Sequence, residues 1–188
     1  MVIKSSEVQR YFTELEEETS KMYSIAKKAK KNSLDPQDAP EIFLARDLAE
    51  RVEGILEHYG LKGIAKRIRE LTSQYPREIA ALKIAEDIIY GKFGSFEEEK
   101  AAEIAIRAAL AVLTEGITAA PLQGIDKVSI KQNYDGTKYL AIYYAGPIRS
   151  AGGTEQALTV LVADYIRQLL HLDKYIPTNE EIKRFIEE

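Results

Sequence analysis

The residues best suited to chemistry lie together at 145–155, AGPIRSAGGTE, where one arginine stands among three glycines ahead of a helical pattern. A strand, a glycine loop and a helix start form a common anion cradle. Backbone N–H groups point outward from the helix N-terminus, and the helix dipole favours negative charge. Glycine lets the backbone come close to a phosphate, and the Arg149 guanidinium offers a bidentate fork. Arg149, Ser150, Gly152, Gly153 and Thr154 are therefore candidate phosphate contacts. Neither GxxxxGK[ST] nor GxGxxG occurs, so nucleotide hydrolysis finds no support. Three readings stay open: a nucleic-acid phosphate, a small-molecule phosphate, and a tight connection in which Arg149 pairs with a carboxylate.

Other constellations are weaker. His58 and His171 each lack a second ligand at helical spacing. The chain has no cysteine, which removes disulfides, thiolate metal sites and cysteine nucleophiles together. Acidic runs at Glu14, Glu16, Glu17, Glu18 and at Glu97, Glu98, Glu99 point to different sides of a helix and suit its first turn. No serine, histidine and acid form a recognisable triad. No catalytic residue, metal ligand or cofactor site is assigned. Tyr134, Tyr139, Tyr143 and Tyr144 interleave with Lys131 and Lys138. That pattern suits base stacking on a sheet, and it equally suits plain strand packing. Lys131 joins the candidate DNA contacts.

The elements that position these residues are mainly helices. Ser6 and Gln9 read as a capping box opening a first helix, and Asn32 as its stop. Val8, Phe12, Leu15, Thr19, Met22, Ala26 and Ala29 step by four and three along it, a heptad-like stripe. The stripe either packs on later helices or pairs with another molecule, so Val8, Phe12, Leu15, Thr19 and Met22 are candidate oligomer contacts. Residues 34–40 read as a loop. A second helix runs from Ile42 to a stop at Gly60, and a third carries Leu61, Ile64, Ile68, Leu71 and Tyr75. Pro76 suits the first position of a fourth. Ser95 and Glu98 form a capping box before a fifth, which is apolar almost all round over 101–113 and belongs inside a bundle. Then the period becomes two: residues 127–132 and 137–145 flank Asp135-Gly136 as a β-hairpin. Helices follow at 154–171 and after Pro177, the latter opened by Thr178 and Glu181. The fold class expected is mostly α: a helical bundle lobe at 1–116, then a small α+β unit at 117–188 with hairpin, glycine-containing loop and helices, cut at its C-terminus.

Composition narrows the function classes. With 45% hydrophobic and 30% charged residues, the 188-residue chain can bury a core under a charged surface. No apolar run reaches the roughly 20 residues of a membrane-spanning helix, and no secretory signal opens the chain. A cytoplasmic protein with no membrane partner is expected. The net charge of -4 leaves any DNA contact local or shared with a partner. Few Asn and Met beside many Lys, Arg and Glu lean towards a heat-adapted source.

At residues 143–170, YYAGPIRSAGGTEQALTVLVADYIRQLL, the chain resembles the large subunit of the archaeal family D DNA polymerase. The stretch AGPIRSAGGTEQAL is long and unusual. The early Tyr11-Phe12 pair and the helices ahead of the hairpin extend the likeness to the N-terminal part of that subunit. The resemblance implies a replicative polymerase of two unlike subunits. The large one synthesises DNA and needs a divalent metal such as Mg, and the small one is a proofreading phosphoesterase. The family's metal-binding aspartates lie well downstream, and no position here matches them. The expected role is a non-catalytic assembly domain that meets the small subunit or forms a homodimer, with DNA a partner of the full complex. The alternative is a DNA-contacting element built on Arg149.

Overall fold

A computed structural model of the chain describes residues 5–40, 44–114, 124–146, 149 and 153–187. These fall into two compact units, Met1–Ala45 and Arg46–Glu188.

The first unit is built on α1 (Ser6–Lys31), 26 residues long. Its N-cap is Ser5 rather than the expected Ser6. The Ser5 hydroxyl accepts the Val8 N–H at 3.3 Å, so the cap falls one residue earlier. Glu7 sits in the first turn, and Lys28, Lys30 and Lys31 sit in the last, each sign matched to the helix dipole. Asn32 ends the helix, and Ser33 turns the chain with φ of 56°. The following loop folds back: Lys30 pairs with Asp38 at 3.3 Å, and the Leu44 N–H donates to the Tyr23 hydroxyl at 3.1 Å. No residue of α1 is buried.

The second unit begins with α2 (Leu48–Leu56), capped by Asp47, whose carboxylate accepts the Glu50 N–H at 2.8 Å. This shortens the helix expected from Ile42. Ala45 precedes the cap, and residues 41–43 lie outside those described. A 3-10 turn, Glu57–Tyr59, ends at Gly60, whose φ of 82° is the left-handed stop the sequence suggested. Next come α3 (Ile64–Gln74) and α4 (Arg77–Ile89), with Pro76 as N-cap of the latter. The fifth helix, α5 (Glu98–Leu113), has Glu97 at its N-cap with no side-chain bond, so the Ser95–Glu98 box does not form.

Helix α5 is the hub. Ala102, Ile104, Ala105, Ile106, Ala108, Ala109, Leu110, Ala111 and Val112 are all solvent-free. Its alanines let neighbours approach closely, and α2, α4, the hairpin and the helix after it all pack on it. The hairpin pairs β1 (Ile125–Gln132) with β2 (Lys138–Tyr144) antiparallel, with Lys127 opposite Tyr143 and Lys131 opposite Tyr139. Asp135-Gly136 makes the turn: Gly136 has φ of 91°, and the Asp135 carboxylate accepts the Thr137 N–H at 2.9 Å. After it come α6 (Gly153–Leu169) and α7 (Asn179–Glu187). The capping box at the start of α7 forms as expected, with the Thr178 N–H donating to Glu181 at 2.7 Å and the Glu181 N–H to Thr178 Oγ1 at 3.3 Å.

The mostly helical class with one small antiparallel sheet is as the sequence implied. The boundary expected at 116/117 lies outside the described residues. Helices before it and the hairpin and α6 after it share one apolar core.

Two buried charges are tied down. Asp87, on α4, accepts Arg67 Nε at 2.6 Å and pairs with Lys92. Arg107, on α5, donates Nε to Glu103 at 2.9 Å and Nη2 to the Ile125 carbonyl at 3.0 Å, which fastens the start of β1 to the hub.

Candidate functional site

Of the candidate phosphate residues, Arg149, Gly153, Thr154 and Lys131 are among those described. Arg149 is exposed just beyond β2, and its N–H donates to the Ala145 carbonyl at 3.0 Å. Gly153 and Thr154 are exposed in the first turn of α6. Ser150 and Gly152 lie outside the described residues. Lys131 stands opposite Tyr139, at the other end of β2 from Arg149.

Two lysines converge on the exposed face of the hairpin. Lys127 Nζ lies 4.8 Å and Lys131 Nζ 5.0 Å from the centre of the Tyr143 ring. The Tyr143 hydroxyl beside Lys131 holds its ammonium above the ordinary lysine range. Period-two spacing puts these side chains on one face, and the register across the turn brings the strands' residues together. Stacking on all four hairpin tyrosines is not available in this arrangement. Tyr143 is flanked by the two lysines, Tyr139 packs on Tyr175 at 4.9 Å, and Tyr144 reaches the Gln156 carbonyl at 3.3 Å from the opposite face. Tyr134, at the turn, is 72% exposed.

The assembly stripe is a stronger surface. Val8, Phe12, Leu15 and Met22 are each 40–50% exposed along α1. Thr19 gives its hydroxyl to the Leu15 carbonyl at 2.7 Å, so the helix's own backbone satisfies its polar atom. Tyr11 and Ile25, outside the heptad-like stripe, widen its apolar side. Both sit beside the stripe at three- and four-residue spacing, which is the signal that could have found them.

Among the described residues, no group of three or more His, Asp or Glu is placed to hold a metal ion. Among the described residues, no helix is long and apolar enough to cross a membrane.

A family model described as DNA polymerase II large subunit DP2, N-terminal, matches residues 10–188. The chain belongs to this family. It is 53% identical over its whole length to the DNA polymerase II large subunit of Methanococcus maripaludis and covers 16% of that protein. The Thermococcus kodakarensis large subunit is 52% identical over 99% of the chain, and that of Pyrococcus furiosus 54% over 97%. The chain spans only 10% and 14% of those two proteins. The family membership agrees with the likeness carried by residues 143–170.

Proposed function

We propose that this chain is a non-catalytic assembly domain of a replicative DNA polymerase large subunit, and that α1 is its docking element. The exposed apolar stripe on α1 carries the reading: 26 helical residues, none of them buried, with Val8, Phe12, Leu15 and Met22 along one side. Three heptads are near the minimum for a stable helix pair, so the stripe suits self-association or a helix of the small proofreading subunit. In this reading DNA-templated synthesis and its divalent metal belong to other parts of the large subunit. The test is absolute mass by light scattering across a concentration series. The wild-type chain should reach twice 21.2 kDa, and Leu15→Glu with Met22→Glu should return it to one mass with unchanged helicity. A monomer at every concentration that also fails to bind the small subunit would refute the reading.

A second reading, DNA contact, is favoured by the Lys127, Lys131 and Tyr143 cluster together with exposed Arg149. Binding of primer-template DNA should weaken with salt. Each of Lys131→Ala and Arg149→Ala should lower the salt slope by about one ion. Salt-independent binding, or slopes unchanged by both substitutions, would reject it.

A further inference from the structure

The two outer edges of the hairpin are treated differently. On β1 the Ile130 N–H, which points away from β2, is met by the Glu99 carboxylate at 2.9 Å. A charged group on an outward N–H closes that edge to further strands. On β2 the outward-facing residues follow from the ladder. The Thr137 carbonyl turns inward to the Asn133 N–H, and the Lys138 carbonyl turns outward to the Asp173 N–H at 2.7 Å. Alternation therefore points the main-chain groups of Leu140 and Ile142 outward too.

Asp173 occupies only the first step of that edge, running parallel to it. Asn133 then draws the chain away, donating to the Lys174 carbonyl at 2.9 Å and accepting the Ile176 N–H at 3.0 Å. Among the described residues, no backbone group meets the Ile142 N–H or carbonyl. Beside this open stretch lies a groove of about 300 Å³ between β2 and α6. Leu140, Ile142 and Tyr144 form one side, and Val160, Ala163 and the Asp164–Arg167 pair the other. Its lining is largely apolar, and Val160 remains 57% exposed.

We propose that a third strand adds to the β2 edge at Ile142, past the step that Asp173 takes at Lys138 and Leu140, and that it is supplied by the same large-subunit polypeptide beyond residue 188. Main-chain bonds to Ile142 would hold it, and its alternate apolar side chains would fill the groove over α6. The occupant is identified by three features. The chain has already touched this edge once at Asp173, running parallel to β2. It then enters α7, and a strand parallel to its neighbour needs a helical crossover of a dozen or so residues, which the stretch after Asp173 provides. Family members continue far past this region, since the chain covers 10–16% of their length. The proposal rests on family membership and is independent of the role assigned to α1.

Residue-resolved hydrogen exchange on the full-length large subunit, alone and with its partners, tests it. The Ile142 amide should exchange about tenfold or more slowly in the full-length subunit alone than in the 188-residue chain. Val160→Glu, an exposed change that leaves the core intact, should abolish that protection while leaving the Ser129 and Lys131 amides slow. Equal exchange in the two proteins overturns the proposal. So does protection that arises only after the small subunit or DNA is added, because the occupant is then another molecule. Protection insensitive to Val160→Glu overturns the seat in the groove.

Discussion

Replacing Arg107 by Met should unfasten the hairpin from its hub while leaving most of the buried volume filled. Arg107 is 3% exposed, and two of its contacts bear on the hairpin and on Glu103. Losing its bond to the Ile125 carbonyl leaves that acceptor without its donor, at about 1–3 kcal/mol. Losing its bond to Glu103 leaves that carboxylate with Lys100 at 3.0 Å. Burial pushes the Glu103 carboxyl up, but hydrogen bonds from Lys100 and Arg107 outweigh it and hold the group below its ordinary 4.5. The two losses together come to about 2–4 kcal/mol, or roughly 5–15 °C in melting temperature for a chain of this size. A carboxyl depressed in the folded state contributes stability above its unfolded value, and that contribution is lost as pH falls through the folded value. The Arg107→Met deficit should therefore be greatest near neutral pH and shrink in acid. Urea denaturation followed by circular dichroism at pH 7 and at successively lower pH below 4.5 measures both effects, and Glu103→Gln with Arg107→Met should recover part of the loss. A deficit under about 1 kcal/mol at pH 7, or one that stays constant until acid unfolds the protein, would refute the assignment.

Two further outcomes are expected. Ala109→Leu, at a solvent-free position of α5, should cost about 1–3 kcal/mol by overpacking against the neighbouring helices, and a urea midpoint equal to wild type would contradict the close approach. Tyr175 donates to the Glu181 carboxylate at 2.5 Å, and that bond pushes its hydroxyl up to about 12. Stability from this pair should persist below the unfolded tyrosine value of 10 and fade as pH rises through about 12. An ultraviolet titration should find one late-ionising tyrosine that Glu181→Gln moves back towards 10, and a titration unaltered by the substitution would remove the bond.

Local signals in the sequence were read correctly where one or two residues decide the outcome. Gly60 stops a helix because it takes a left-handed φ, Asp135-Gly136 turns the hairpin, and Thr178 with Glu181 caps α7. The all-round apolar run of α5 placed it in the core, because no side of such a helix can face water. Starts were less legible where competing caps stand close together. Ser5 takes the Val8 N–H ahead of Ser6, and Asp47 begins a helix that the apolar spacing from Ile42 made look longer. Contacts between distant residues could not be read at all. Arg107 meets Ile125 across 18 positions and Glu99 meets Ile130 across 31, and one sequence carries no pattern linking them. Of the candidate site, the residue types were legible, but the gathering of Lys127 and Lys131 at Tyr143 depends on the hairpin register, which no local pattern fixes.

The hub position of α5 also bears on how the chain is made. Helices α2 to α5 can begin to pack as soon as they leave the ribosome, since each meets a neighbour close in sequence. The side of α5 that receives β1 and α6 must wait until Leu169 has been synthesised, on the order of 3–10 s later at typical elongation rates. During that interval the alanine- and isoleucine-lined side of α5 is open to chaperones and to other nascent chains. The newborn N-terminal helices would then aggregate most readily when translation stalls between Leu113 and Leu169.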